Sequence, residues 1–299
     1  MAARARGDER RGILVSQIEH KSVLNAARAL ERDGFQVTEL RVRSDGVLDL
    51  ARASAMITED ALLVSVMAAN NEIGAIQPVA EIAEIARARG ALVHVDAAQA
   101  AGKMPFKAGD FDLVSLSSHK VYGPMGIGAL YVSGLAPFRP YPILHGGDQE
   151  GGLRPGTLPT PLIVGFGTAA NIAMRRLDED AEHSALLADR FEGELRSRQV
   201  QFIRHGNAAT RLPGSVSIAF EGVDANELIA LVSAKISISE GSACQSGQIS
   251  TSHVLSSIGL HDSLSRSTVR LYFGRYNTDA EATFAAGEIA AAVRRLRTY

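Results

Sequence analysis

The chain holds a single cysteine, Cys244, in 299 residues. No disulfide can form within it, and a lone thiol fits a reducing compartment such as the cytoplasm. Neither charge sign dominates: 31 Lys and Arg stand against 33 Asp and Glu, a formal net charge of −2. That balance argues against a nucleic-acid or other polyanion partner. No apolar run approaches the roughly 18 residues needed to cross a bilayer, so no membrane partner is expected. The arginine-rich start, up to Arg11, lacks the apolar stretch of a secretory signal. Asp8 and Glu9 interrupt what could be a transit peptide, so a basic tail is the expectation. Internal repeats and low-complexity tracts are absent as well. What the chain does have is 46% hydrophobic residues, ample for the core of two domains or of one large domain with an appendage.

The first half alternates strand and helix signals. Gly12-Ile13-Leu14-Val15 reads as a strand, followed by a helix with Ser22 as N-cap, an apolar stripe of Val23, Leu24, Ala27 and Leu30, and Gly34 as its end. Residues 35–42 alternate like a strand, and 62–67 form a continuous apolar run typical of a buried parallel strand. After the turn-rich Asn70-Asn71-Glu72-Ile73-Gly74, Pro78 opens a helix closed by Gly90. Such alternation predicts an α/β fold with a mostly parallel, doubly wound sheet. A glycine-dense loop runs from Gly146 to Gly156, and residues 162–198 carry a helical pattern that reads as a long connector. The remainder reads as α+β: strands near 214–220 and 269–273, a helix near 225–233, and a Thr278/Glu281 capping box opening the last helix. The predicted division is a large domain over 1–175 and a small α+β domain over 176–299.

Two strands carry polar payloads at their ends. Ala91-Leu92-Val93-His94-Val95-Asp96 runs into Ala97-Ala98-Gln99, and Phe111-Asp112-Leu113-Val114-Ser115-Leu116 runs into Ser117-Ser118-His119-Lys120 and a Gly/Pro turn. Open α/β sheets build ligand sites at such strand ends. A carboxylate able to pair with a ring nitrogen and a lysine able to form an imine are the minimum kit for pyridoxal phosphate (PLP) chemistry. Lys120 is expected to be partly desolvated and available as an amine, with Ser117 and His119 able to donate to a phosphate. Asp96 can keep a pyridinium nitrogen protonated or, more blandly, cap the turn that follows. Cys244 lies in a Gly/Ser-rich stretch with Gly241, Ser242, Ser246 and Gly247, which favours an accessible nucleophile over a packed core thiol. His94, His145 and His205 stand alone and read as structural, and no Cys/His spacing suggests a metal site.

Asn70-Asn71-Glu72-Ile73-Gly74, His94-Val95-Asp96-Ala97-Ala98-Gln99, Ser117-Ser118-His119-Lys120 with Tyr122-Gly123-Pro124, and Gly241-Ser242-Ala243-Cys244 occur in this order. Together, over about Ile13 to Arg297, they resemble the cysteine desulfurases of the class V aminotransferase group, on the NifS/IscS-like branch of the fold type I PLP enzymes. The resemblance implies that L-cysteine is converted to L-alanine, with a persulfide formed on Cys244 and handed to a sulfur-acceptor protein. By motif, Lys120 resembles the lysine that holds PLP as an imine and moves protons. His20 resembles the imidazole stacked on the cofactor ring, and Asn71 the residue near the ring oxygen and substrate carboxylate. Asp96 resembles the pyridinium partner, Gln99 the contact to the ring hydroxyl, and Ser117 and His119 the phosphate ligands. Thr157 resembles the threonine that reaches the phosphate of the opposite subunit, which implies a homodimer. Arg270 resembles the arginine that clamps the substrate carboxylate.

Departures from the family pattern bear on these expectations. Relatives carry further sequence before the stretch matching Ile13, roughly 80 residues, more than half of a typical domain. That stretch supplies a first strand and a helix N-terminus that grips phosphate, so weaker PLP retention is expected of the chain as it stands. Gly151 stands where relatives commonly have arginine, and Ser118 where they commonly have glycine or alanine. Alternatives to a desulfurase are a short, weakly active or PLP-free module needing a partner chain, and another class V transaminase or selenocysteine lyase. The downstream use of the sulfur, whether iron–sulfur cluster assembly, tRNA thiolation or DNA modification, is not written in these residues.

Overall fold

In the computed structural model of the chain, residues 10–135, 138–240 and 252–298 are described. They divide into two compact units: Met1–Leu40, Leu50–Ala68 and Pro78–Arg175 form the first, and Arg41–Asp49, Ala69–Gln77 and Arg176–Tyr299 the second.

The first unit is built on a sheet of β1 (Gly12–Ser16), β2 (Gln36–Leu40), β3 (Ala61–Met67), β4 (Leu92–Asp96), β5 (Leu113–Ser117) and β6 (Gly128–Val132). Their order is β2-β1-β3-β4-β5-β6, parallel throughout except that β6 runs antiparallel to β5. The mostly parallel sheet expected from the sequence is therefore present, and six of the seven β3 residues are buried, the polar Ser65 among them. Helix α1 (Lys21–Leu30) packs Leu24 and Ala27 onto Ile13, Val15, Phe35 and Leu62. Each fully buried aliphatic side chain is worth about 1.5–3 kcal/mol, so packing holds this ten-residue helix more than propensity does.

The start of α1 differs from expectation. His20, not Ser22, is the N-cap: its ring accepts the Ser22 N–H, because Ser22 already lies inside the first turn. A 3₁₀ turn, Glu31–Asp33, follows, and Gly34 ends the segment at φ 83°, a conformation that glycine adopts without strain. Helix α2 (Leu50–Met56) had no recognisable cap in the sequence; α3 (Val79–Ala88) begins after Pro78 as read. The long helical pattern over 162–198 is broken at Arg176 into α4 (Thr160–Arg175) and α5 (Leu177–Ser197). Arg176 leaves helical geometry, and its guanidinium binds Glu179 and Asp180 in the first turn of the next helix.

In the second unit, β7 (Ile203–Arg204), β8 (Ser215–Ala219), β9 (Ser239–Glu240) and β10 (Thr268–Tyr272) pair antiparallel in the order β7-β8-β10-β9. α6 (Ala225–Val232) and α9 (Asp279–Arg297) flank this sheet with α5, and their apolar faces join Val216, Ile218, Val269 and Phe191 in one core. The Thr278/Glu281 capping box is formed in full. All five residues of β8, Ser215 and Ser217 included, are buried. Two short helices, α7 (His253–Ser257) and α8 (Asp262–Arg266), complete the described elements.

Candidate active site

Parallel pairing sets the geometry of the first unit's strand ends. Asp96 closes β4 beside Ser115, and β5 continues to Ser117 before the chain turns into the 3₁₀ segment Ser118–Val121 that bears Lys120. The carboxylate and the lysine thus leave the same edge of the sheet on adjacent strands. Asp96 Oδ1 accepts the Ala98 N–H at 2.9 Å, the capping role weighed for it, and this leaves the second carboxylate oxygen for a ring nitrogen. Its backbone carbonyl accepts from Ala68, tying the end of β4 to the end of β3.

Lys120 is exposed, not partly desolvated as expected. The three-residue repeat of the 3₁₀ turn buries Ser118 and Val121 and turns His119 and Lys120 outward. Ser117 Oγ and His119 Nδ1 lie 3.1 Å apart, two hydrogen-bonding groups on one turn. Tyr122 follows in the left-handed region at φ 64°, and a side chain at Gly123 would strike the Ser118 hydroxyl, so this turn needs its glycine.

At the N-terminus of α1, His20 Nδ1 accepts the backbone N–H of Ser22 at 3.2 Å and lies 2.8 Å from the Ser22 hydroxyl. An acceptor nitrogen carries no proton, so the neutral ring bears its hydrogen on Nε2. The residue before it, Glu19, is buried, and one of its carboxylate oxygens accepts the Met67 N–H at 2.5 Å, joining the end of β1 to the end of β3. Burial pushes the Glu19 carboxyl well above its ordinary range; the Met67 bond opposes this and the Asp96 charge reinforces it. His94, on β4, bonds Ser65 Oγ at 2.7 Å and Ser115 Oγ at 2.8 Å, one on each neighbouring strand. Burial lowers its pKa despite the nearby Asp96 charge, in line with its structural reading.

Gln99 lies in the turn after β4, and its Oε1 accepts from Lys103 Nζ at 2.7 Å. Burial and the charge of Lys120 bring Lys103 down to about 7. The sequence reading missed Lys103 and Glu19. A lysine four residues beyond Gln99 and a glutamate directly before His20 were the available signals, and neither spacing belongs to a recognised motif. Thr157 is exposed in the coil before α4.

Asn71 and Arg270 belong to the second unit, and there the fold brings them together: Arg270 Nη1 donates to the Asn71 carbonyl at 2.9 Å. The loop is rigid by its own bonds, since Asn70 Oδ1 accepts the N–H groups of Glu72 and Ile73. Gly74, at φ 72°, packs against Ser215. Cys244, with Gly241, Ser242 and Ala243, lies outside the described residues, as does the start of the chain up to residue 9.

The groups on the first unit suit a phosphorylated pyridine aldehyde in their chemistry. A carboxylate for a ring N–H, an amide for a ring oxygen, a hydroxyl and imidazole for a phosphate, and an exposed amine all stand at the ends of β4 and β5 or on the turns that follow them. Among the described residues, no helix is long and apolar enough to cross a membrane.

The aminotransferase class-V family model matches residues 1–283. A cysteine desulfurase IscS of Rickettsia typhi is 42% identical over 293 residues, 97% of this chain and 71% of that protein. Among solved structures, a NifS-like protein superimposes with a TM-score of 0.88 at 34% identity, covering 97% of this chain and 76% of that one. SspA in complex with cysteine gives a TM-score of 0.75 at 36% identity, covering 91% and 76%. Matched over nearly its whole length in sequence and in fold, this chain belongs to the aminotransferase class-V family.

Proposed function

We propose that the protein is a PLP-dependent cysteine desulfurase. The observation that carries the reading is the placement of Asp96 and Lys120 beyond adjacent parallel strands, in a chain 42% identical to a cysteine desulfurase IscS. That SspA, a structural relative, was solved with cysteine supports the choice of substrate.

PLP, when bound, supplies an electron sink conjugated to the substrate's α-carbon. Asp96 holds a proton at the ring nitrogen, which keeps that sink deep. Ser117 and His119 anchor the phosphate, Gln99 donates to the ring oxygen, and His20 stacks on the ring with its hydrogen on Nε2. Lys120 would hold the cofactor through its aldehyde and would move the proton at the substrate's α-carbon. Arg270, steadied by the Asn71 carbonyl, offers its remaining N–H groups to the substrate carboxylate.

The Cys244 thiolate attacks the substrate sulfur; an S–S bond forms as the substrate's carbon–sulfur bond breaks. The electron pair stays with the carbon skeleton, which takes up a proton and leaves as alanine. The enzyme retains a persulfide, passed on to a sulfur-acceptor protein. Thr157 serves the phosphate of the second subunit in a homodimer. Its exposure, and that of the nearby Leu158, Ile163 and Val164, supports such a contact.

Purified protein with added PLP should show the visible absorbance of a lysine imine, and Lys120→Ala should abolish it. Alanine and sulfide should form from L-cysteine and cease in Cys244→Ser. A parent protein that shows no band at saturating PLP overturns the reading. Alanine production that survives Cys244→Ser favours a lyase or transaminase of the same family.

A further inference from the structure

We infer that Lys103 is a positioning residue for the cofactor ring: by donating to Gln99 Oε1 at 2.7 Å it fixes which way the Gln99 amide faces. The inference rests on the reading of this site as a PLP pocket. Nothing in the motifs singled out Lys103, which follows Gly102 in the turn after β4.

Carbonyl oxygen and NH2 of a glutamine side chain have nearly the same shape, so packing alone does not choose between the two orientations. An ammonium group does choose, because it has donors and no acceptor. Facing Lys103, Gln99 must present Oε1, and its NH2 is then turned the other way with both donors available. The ring oxygen of a bound pyridoxal is an acceptor that becomes phenolate-like in the imine, so it needs a donor from Gln99. With the amide reversed, two acceptors would meet.

Lys103 is itself held in place. Its N–H donates to the Ala100 carbonyl at 3.0 Å, and the preceding Gly102 adopts φ 68°. A side chain at Gly102 would lie 2.7 Å from Ala173 Cβ and 3.3 Å from Val121 Cγ1. The turn is thus clamped between α4 and the residue that follows Lys120. Ala101 and Phe166 pack on the same small cluster of Val121, Ala169 and Ala173. Burial, with the charge of Lys120 added to it, brings the Lys103 amine to about 7. The ammonium, and with it the one-way hydrogen bond, predominates below neutral pH.

The test is a double-mutant cycle at pH 6.5, read by equilibrium PLP binding to the apo-protein and by the balance of the bound cofactor's near-ultraviolet and visible bands. Lys103→Met should weaken PLP binding roughly 3- to 10-fold, the scale of one net hydrogen bond, and shift intensity between the bands. Lys103→Arg, which keeps a donor-only cation, should restore both. In a Gln99→Ala background, Lys103→Met should add nothing. Parent-like affinity and bands in Lys103→Met overturn the inference, as does an equal loss in the Gln99→Ala background, which would mean that Lys103 acts by another route. A parent protein with no imine band at saturating PLP overturns the cofactor reading itself and this inference with it.

Discussion

His205 should make the protein lose stability in mild acid, and the amount follows from its surroundings. Its side chain is 4% exposed, its Nε2 lies 3.0 Å from Thr268 Oγ1, and its N–H donates to the Ser217 carbonyl in the second unit's sheet. Burial, helped by the adjacent Arg204 charge, lowers its pKa from 6.5 to about 4. In the unfolded chain the imidazole takes up a proton near 6.5; in the folded protein it does so only near 4. Between these values the unfolded state binds more protons, so stability is full above pH 6.5 and falls as pH drops towards 4. Each decade of that window is worth 1.36 kcal/mol, so from pH 7 to pH 4.5 the loss due to His205 is about 2 kcal/mol. His94 and the carboxylates titrate over part of the same range, so the quantity to compare is the parent against His205→Gln, which keeps a polar side chain that does not titrate. Urea unfolding is best followed by far-UV circular dichroism, because the chain has no tryptophan. The parent should lose about 2 kcal/mol more than the variant between pH 7 and pH 4.5. Equal losses would show that His205 is hydrated or charged in the folded state, and the reasoning would fail.

Arg270→Lys should raise KM for L-cysteine about 10- to 100-fold, because a lysine cannot bond the Asn71 carbonyl and still grip a carboxylate with two parallel donors; an unchanged KM in steady-state assays would remove Arg270 from substrate binding. Gly214→Ala should cost at least about 2 kcal/mol in urea unfolding, since φ is +76° and the new methyl would strike the Phe273 carbonyl and Ser184. A midpoint within error of the parent would contradict the local packing. Asp180→Asn should cost about 3 kcal/mol, because Asp180 bridges Arg176 and the nearly buried Arg275 and the change removes the negative charge between two cations. If the variant were as stable as the parent, Arg275 would have to find water or another anion.

The sheet was legible because each parallel strand is a short apolar run ended by polar residues, and parallel strands covered on both faces need such runs. Asp96 and Lys120 could be placed at strand ends for the same reason. Strand order, β2-β1-β3-β4-β5-β6, was not legible, since it depends on contacts distant in sequence. Nor was the grouping of residues 41–49 and 69–77 with the second unit, where Asn71 meets Arg270 and Gly46 accepts from Gln77. Helix 50–56 carries no capping signal, and the break at Arg176 falls in a sequence whose helical periodicity continues on both sides. Within the site, motif residues stood out because their spacing is distinctive, whereas Lys103 and Glu19 act through burial and a partner, which a linear sequence does not display.

Those unmotivated residues explain how one carboxylate can serve a ring nitrogen at the end of β4. Asp96 has two ionisable neighbours in the first unit whose state matters. Glu19 would compete as a second anion, but burial, reinforced by Asp96 itself, biases it towards the neutral acid. His94, two residues earlier on the same strand face, would neutralise Asp96 if it were a cation. Burial biases it towards the neutral ring, bonded to Ser65 and Ser115 across three strands. Desolvation therefore biases both the acid and the base near Asp96 towards their neutral forms. Asp96 meets the Ala98 N–H through Oδ1 at the end of β4, and Lys120 stands exposed in the 3₁₀ turn that follows β5.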